Sequence, residues 1–196
     1  MSGTVVVLNG TSSAGKSSIG RALQARGEGI WLLAGLDAYL ELLGKPQLNE
    51  LWARILGDPV RPGPAGDKLI RAMYSAAAAI ARSGTNVVLD HVMVTARWRQ
   101  WAVTGFRDLP AWFVGVHCPV RLLDARERER GDRTLGQARR QFNVVHADCV
   151  YDHEVNTVAQ SPEAAADEIL QCIASGGPRG FTAMAGAMSG SLTDEE

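Results

Sequence analysis

Apolar residues fall along this chain in short blocks separated by turn formers. Val5, Val6, Val7 and Leu8 make an uninterrupted apolar run, the pattern of a strand covered on both faces. After a glycine-bearing turn, Ile19, Ala22 and Leu23 recur at helical spacing until Gly27 and Gly29, which stop the helix. Residues 30–34 read as a second strand ending at Gly35, Leu36 and Asp37, and Tyr39, Leu40, Leu42 and Leu43 resume the helical period. Between 44 and 66 the pattern breaks. Pro46, Pro59, Pro62 and Pro64 limit regular structure there, although Leu48, Leu51, Trp52 and Ile55 fit a short helix between them. The segment 38–66 is therefore expected to be an excursion that encloses a substrate. Asp67 then reads as the cap of a helix with Leu69, Met73, Ala76, Ala77 and Ile80 on its apolar face and Gly84 at its end.

Strands are predicted over 86–90 and 112–118, with a helix between them that carries Trp98, Trp101 and Ala102 on one side. Pro119 suits the first turn of another helix. A last strand over 151–155 leads to Ser161 and Pro162, a cap and a first helical position, ahead of Ile169, Leu170 and Ile173. This alternation predicts an α/β fold: three layers, a five-stranded parallel sheet flanked by helices, and ligands at the carboxyl ends of the strands. The length of 196 residues suits one domain, placed at 1–175. From Gly176 the composition turns to Gly, Ala, Ser and Met, so 176–196 reads as a flexible tail, with Phe181, Met184 and Met188 available to dock it.

A net charge of −1 exerts no general pull toward nucleic acid or membrane. An amino terminus without basic residues and without a long apolar stretch points to the cytoplasm, where ATP is abundant. Cys118, Cys149 and Cys172 lack metal-ligand spacing and read as small reduced hydrophobes. His91, His117, His146 and His153 form no ligand set either. A homo-oligomer is left open.

The chemistry concentrates after the first strand, where Gly10, Thr11, Ser12, Ser13, Ala14, Gly15, Lys16 and Ser17 spell Gly-x-x-x-x-Gly-Lys-Ser, followed by Ser18. Strand, glycine turn and helix start together build a phosphate cradle from backbone N–H groups. Lys16 is expected at the terminal phosphates of ATP and the Ser17 hydroxyl on Mg2+. Asp37 and Asp90 fall at predicted strand ends. Phosphoryl transfer needs an aligned acceptor hydroxyl and neutralised phosphates, so Asp37 is assigned to the acceptor as its base and Asp90 to Mg2+ through water. The two roles are interchangeable at this level. A helix N-cap competes as the reading of Asp37, and a hydrogen-bond acceptor for neighbouring groups as that of Asp90. Asp90, His91 and Trp52 are also expected to face the substrate, with a structural histidine as the alternative for His91. Arg126, Arg130 and Arg133 share a helix face, with Glu127 and Glu129 directed away from it. They predict an arginine lid over about 119–147, hinged at Gly131, in which Arg126 stacks on adenine while Arg130 and Arg133 neutralise the transferring phosphoryl group. A solvated helix laced with Glu–Arg pairs is the competing reading.

These segments, with Val87-Val88-Leu89-Asp90, Gly115-Val116-His117-Cys118, Arg130-Gly131-Asp132-Arg133, Val145-His146 and Tyr151-Asp152-His153-Glu154-Val155, resemble the chloramphenicol phosphotransferase-like family. Its members are small phosphate-loop kinases related in fold to shikimate and adenylate kinases. The resemblance spans about residues 4–175 and implies ATP-dependent phosphorylation of a small-molecule hydroxyl, with Asp37 matching the family's base; Leu48, Leu51, Trp52 and Ile55, against Arg54 and Arg61, tilt the expected acceptor toward an antibiotic. Two departures fall where an acceptor would bind: the proline-rich segment 44–66, and His91 after Asp90, where the chloramphenicol enzyme of the family carries a second acid. A metabolite kinase of the shikimate or gluconate type and a nucleotide-dependent switch are the alternative functions.

Overall fold

The computed structural model describes residues 1–42, 58–130 and 135–190. Among the described residues, strands β1 (Val5–Asn9), β2 (Trp31–Gly35), β3 (Asn86–His91), β4 (Ala111–His117) and β5 (His153–Asn156) form one sheet. Their order is β2-β3-β1-β4-β5, and every neighbouring pair is parallel. Successive residues of a strand point to opposite faces, and each face has its own core. Val5, Val7, Val87, Leu89 and Phe113 enter one, whereas Val6, Leu8, Val88, Trp112 and Val114 enter the other. Burial on both sides is the physical reason that these strands read as unbroken apolar runs.

The helices are α1 (Lys16–Arg26), α2 (Leu36–Glu41), α3 (Pro64–Arg82), α4 (Ala96–Phe106), α5 (Val120–Arg130), α6 (Gln137–Phe142), α7 (Pro162–Ser175) and α8 (Gly180–Gly190). Ser161 caps α7 by accepting the Ala164 N–H at 3.2 Å, as expected of a serine before proline.

Several boundaries differ from the sequence expectation. The helix expected to be capped by Asp67 begins at Pro64, with Gly63 as its cap, so the excursion ends earlier than residue 66. Asp67 instead accepts from the Trp98 indole at 2.8 Å and pairs with Arg97 at 2.7 Å, bracing α3 against α4. The buried face of α3 is Ile70, Met73, Tyr74, Ala77, Ala78 and Ala81, rotated from the expected Leu69, Ala76 and Ile80 because the helix packs toward both sheet and α4. β5 starts at His153 rather than 151, since Tyr151 and Asp152 are engaged elsewhere.

The stretch expected to be a flexible tail is corrected over 180–190, where it forms α8. Asp152 accepts the Arg179 and Gly180 N–H groups at 2.5 and 2.8 Å while also accepting that of Phe113 at 2.8 Å. One carboxylate thus caps α8 and anchors it to β4. Phe181 and Met184 are buried in the core, each burial stabilising by about 1.5–3 kcal/mol relative to exposure. Residues 191–196 lie outside the described residues, and the side chain of Met188 is likewise not described. Cys118 is buried and Cys149 and Cys172 half-buried, all as free thiols. Among the described residues, no helix is long and apolar enough to cross a membrane.

Candidate active site

The loop between β1 and α1 is fixed by two glycines for different reasons. Gly10 passes so close to β4 that a Cβ would lie 2.4 Å from the Val116 carbonyl oxygen, so any side chain would displace the loop. Gly15 caps α1 with φ +102°, a conformation in which L side chains are strained. The turn delivers the first N–H groups of α1, which a helix leaves without internal acceptors, into the cleft. The first turn of α1 carries no acidic residue, which preserves the attraction of the helix terminus for an anion.

Lys16 is 5% exposed, and its ammonium donates to the Thr11 carbonyl at 2.7 Å and lies 3.4 Å from Asp90 Oδ1. The Ser17 hydroxyl donates to Asp90 Oδ2 at 2.5 Å. Hydroxyl and carboxylate are both hard oxygen donors, the type Mg2+ selects, and they are adjacent. Ser13 Oγ is buried in the loop without a hydrogen-bond partner in the protein, an orphaned polar atom of the kind a phosphate oxygen satisfies. Donor chemistry and loop shape therefore fit nucleotide phosphates and Mg2+.

Parallel register brings the second acid beside the first. Gly35 on β2 pairs with Asp90 on β3, which pairs with Leu8 on β1. Asp37 follows Gly35 by two positions, in the first turn of α2, whose cap is Gly35 itself; the capping alternative for Asp37 is thereby removed. Asp37, Asp90, Lys16 and Ser17 all line one cleft of about 1120 Å³.

His91 lines the cleft and is held by hydrogen bonds within the protein. It lies on β3, is 2% exposed, and accepts the Val92 N–H on Nδ1 at 2.8 Å. Nε2 is then the protonated nitrogen and donates to the Tyr74 hydroxyl at 2.5 Å. Both ring nitrogens are thus occupied inside the protein, while the residue still lines the cleft. The ring stacks on Trp98 at 5.4 Å and so stiffens the cleft wall. Burial first, then the neighbouring Lys16, lowers its pKa to about 3 against the opposing pull of Asp90. His146 is lowered to about 4, by burial, then by His117 and Lys16.

Both histidines are neutral in the folded protein at pH 5, whereas an unfolded histidine takes up a proton below its ordinary value of about 6.5. Stability is accordingly expected to be level from pH 8 to 7 and to fall between pH 6.5 and 4. The His91 contribution declines by about 1.4 kcal/mol per pH unit. Urea midpoints across that range check this, and a midpoint unchanged between pH 7 and 5 would contradict the buried neutral state.

The arginine-rich helix divides its charges unevenly. Arg126 Nη1 donates to the carbonyls of Ser13 and Ala14 at 3.3 and 3.4 Å and to the Thr157 hydroxyl at 3.3 Å. It braces the loop and lines the cleft, and Glu129, expected to be directed away from the arginine face, lines the same cleft. Glu127 points away from that face, as expected, yet it is 1% exposed and accepts the N–H groups of Gly136 and Ala138 at 2.9 and 2.6 Å. It is a structural cap for α6, not part of a solvated charge lattice. The Arg130 side chain, residues 131–134 with Arg133, and 43–57 with Trp52 lie outside the described residues.

Two residues without an expected role hold the surroundings of the loop. Asn9, fully buried at the end of β1, donates to the Val145 carbonyl and the Tyr151 hydroxyl at 2.7 and 2.8 Å and accepts the Met93 N–H at 2.8 Å. A polar residue closing an apolar strand was its signal. Gln141 on α6 is 4% exposed and accepts the Ser12 N–H at 2.8 Å; nothing local in the sequence marks it.

The chain matches the sequence profile described as chloramphenicol phosphotransferase-like protein over residues 3–174. A Mycobacterium tuberculosis protein provisionally named an O-phosphotransferase is 34% identical over 181 residues, covering 85% of this chain and 80% of that protein. Among solved structures, a sugar kinase from Janibacter sp. superposes with TM-score 0.66 at 16% identity, covering 88% of this chain and 95% of that one. The Mycobacterium tuberculosis APS kinase in complex with AMPPNP and APS superposes with TM-score 0.63 at 17% identity, covering 89% and 99%. These two likenesses establish the phosphate-loop kinase fold.

Proposed function

Because this chain belongs to the chloramphenicol phosphotransferase-like family, a family of phosphotransferases, we propose that it transfers the γ-phosphoryl group of ATP to a hydroxyl of an uncharged, largely apolar small molecule of the antibiotic type. The observation that carries this reading is the meeting of Lys16, Ser17, Asp90 and Asp37 in one cleft. The N–H groups at the start of α1 and the Lys16 ammonium bind the phosphates and take up charge that develops on the transferring group. Ser17, and Asp90 through water, would hold Mg2+, which when bound would neutralise phosphate charge. Asp37, which lines the same cleft, aligns the acceptor hydroxyl and accepts its proton. Arg126 keeps the loop in its binding shape through the Ser13 and Ala14 carbonyls.

The acceptor class follows from the wall around Asp37. Leu36, Leu40, Pro62, Val92, Val94 and Trp98 supply apolar surface, and Glu41 and Asp58 add carboxylates. Among the described residues, the basic ones that line the cleft are Lys16 and Arg21 of α1 and Arg126, which is bonded to the phosphate loop; the apolar share of the wall around Asp37 supports an antibiotic-type guest over a shikimate- or gluconate-type one. The test is incubation with ATP, Mg2+ and two panels, hydroxyl-bearing antibiotics and anionic hydroxy metabolites, with mass spectrometry of the products. A phosphorylated apolar acceptor is expected. Phosphorylation confined to the anionic panel would overturn the acceptor class, and ADP release with neither panel would overturn the kinase reading.

A further inference from the structure

The phosphate loop is tied to the acceptor wall through α6, by side chains that the transfer chemistry above does not use. Gln141 is buried between the two. Its Oε1 accepts the Ser12 N–H of the loop at 2.8 Å, and its Nε2 donates to the Pro59 carbonyl at 3.4 Å. Next to it, Arg140 donates to both carboxylate oxygens of Asp58 at 3.0 Å. Asp58 in turn accepts the N–H groups of Val60 and Arg61 at 2.9 and 3.2 Å, so the carboxylate that Arg140 grips also folds the 58–61 turn. Asp58, Pro59, Pro62 and Gln141 all line the cleft with the phosphate loop. A segment rich in proline has few backbone donors of its own, and this turn, ahead of α3, is held by side chains of α6.

We propose that Gln141 is a positioning residue which, with the Arg140–Asp58 pair, makes the placement of the acceptor wall at 58–62 depend on the state of the phosphate loop. The inference rests on the kinase reading and extends it. Ser12 precedes the part of the loop that opens toward phosphate, so a nucleotide that fixes the loop also fixes the Ser12 N–H. Gln141 is thereby held at one end, and its other end holds Pro59. Linkage makes the effect reciprocal: whatever orders the wall favours nucleotide binding. The Gln141 contacts are nearly water-free and carry most of the coupling, while the Arg140–Asp58 pair is half-exposed and weaker.

Hydrogen exchange at Val60, Arg61 and Gly63 reads the wall, since Pro59, Pro62 and Pro64 have no amide hydrogen. The full-length protein is compared with and without saturating AMPPNP and Mg2+, with binding followed by calorimetry on the same samples. In the wild type the nucleotide is expected to slow exchange in this segment by roughly tenfold, the scale of one or two buried hydrogen bonds. Gln141→Ala should abolish that nucleotide dependence, and Arg140→Ala should reduce it while AMPPNP still binds. A purely structural role for Gln141 would instead raise exchange equally with and without nucleotide, and that result overturns the proposal. So does a wild type that binds AMPPNP without protecting the segment. A wild type that does not bind AMPPNP at all removes the kinase reading, and this inference with it. Arg140→Ala alters a surface pair and tests the same coupling if Gln141→Ala does not fold.

Discussion

Replacing Lys16 by alanine is expected to lower phosphoryl transfer by about a hundred- to a thousandfold, the usual effect of deleting one preorganised charge-stabilising donor. The ammonium is held 2.7 Å from the Thr11 carbonyl and 3.4 Å from Asp90, so its position is set before any nucleotide arrives. Little reorganisation is then required as charge develops on the phosphoryl oxygens. Asp90 keeps its Ser17 partner in the variant and retains access to water, its side chain being 22% exposed, so folding should survive and circular dichroism will check it. The rate is read as phosphorylated product from the acceptor identified by the panel. A Lys16→Ala protein that turns over at wild-type rate would remove the phosphate-loop argument.

Asp37→Asn is expected to reduce kcat by about 10²- to 10⁴-fold, the range for losing a positioned general base. Asparagine preserves size and one acceptor oxygen but cannot take up a proton. Asp37→Ala removes both functions, and because phosphoryl transfer relies heavily on positioning, the alanine variant should be slower still. If both variants matched the wild type, acceptor alignment would pass to Asp90, the acid beside Lys16 and Ser17. Equal loss in both would mean that proton acceptance, not alignment, is what Asp37 contributes.

Much of the fold was legible because its causes are local or periodic. Apolar runs such as Val5 to Leu8 announce strands buried on two faces, and Ser161 before Pro162 announces a helix start, since caps and proline act over a few residues. The phosphate loop was legible for the same reason: a turn, a close approach at Gly10 and a left-handed Gly15 must occur in a fixed local order. Boundaries failed where a distant group competed. Asp67 has the side chain of a cap, but the Trp98 indole and Arg97 claim it. The glycine-rich carboxyl end has the composition of a loose tail, yet Asp152 and the pocket for Phe181 order it as a helix.

The sequence by itself determined the alternation of strands and helices, the phosphate loop and the identity of the two acids, because each depends on neighbours within a turn or a strand. Which face of each element is buried, and which acid stands opposite which donor, was decided only by tertiary structure. Strand order sets Asp90 against Ser17 and brings Asp37 to the same cleft, and no local pattern encodes a parallel register between segments so far apart. His91 shows the difference most plainly: in sequence it is a histidine after an aspartate at a strand end, and only the approach of Tyr74 from α3 and the Val92 amide holds it as a buried strut. Gln141 had no sequence signal at all, since its meaning lies in contacts with Ser12 and Pro59 that exist only once α6 has closed over the loop.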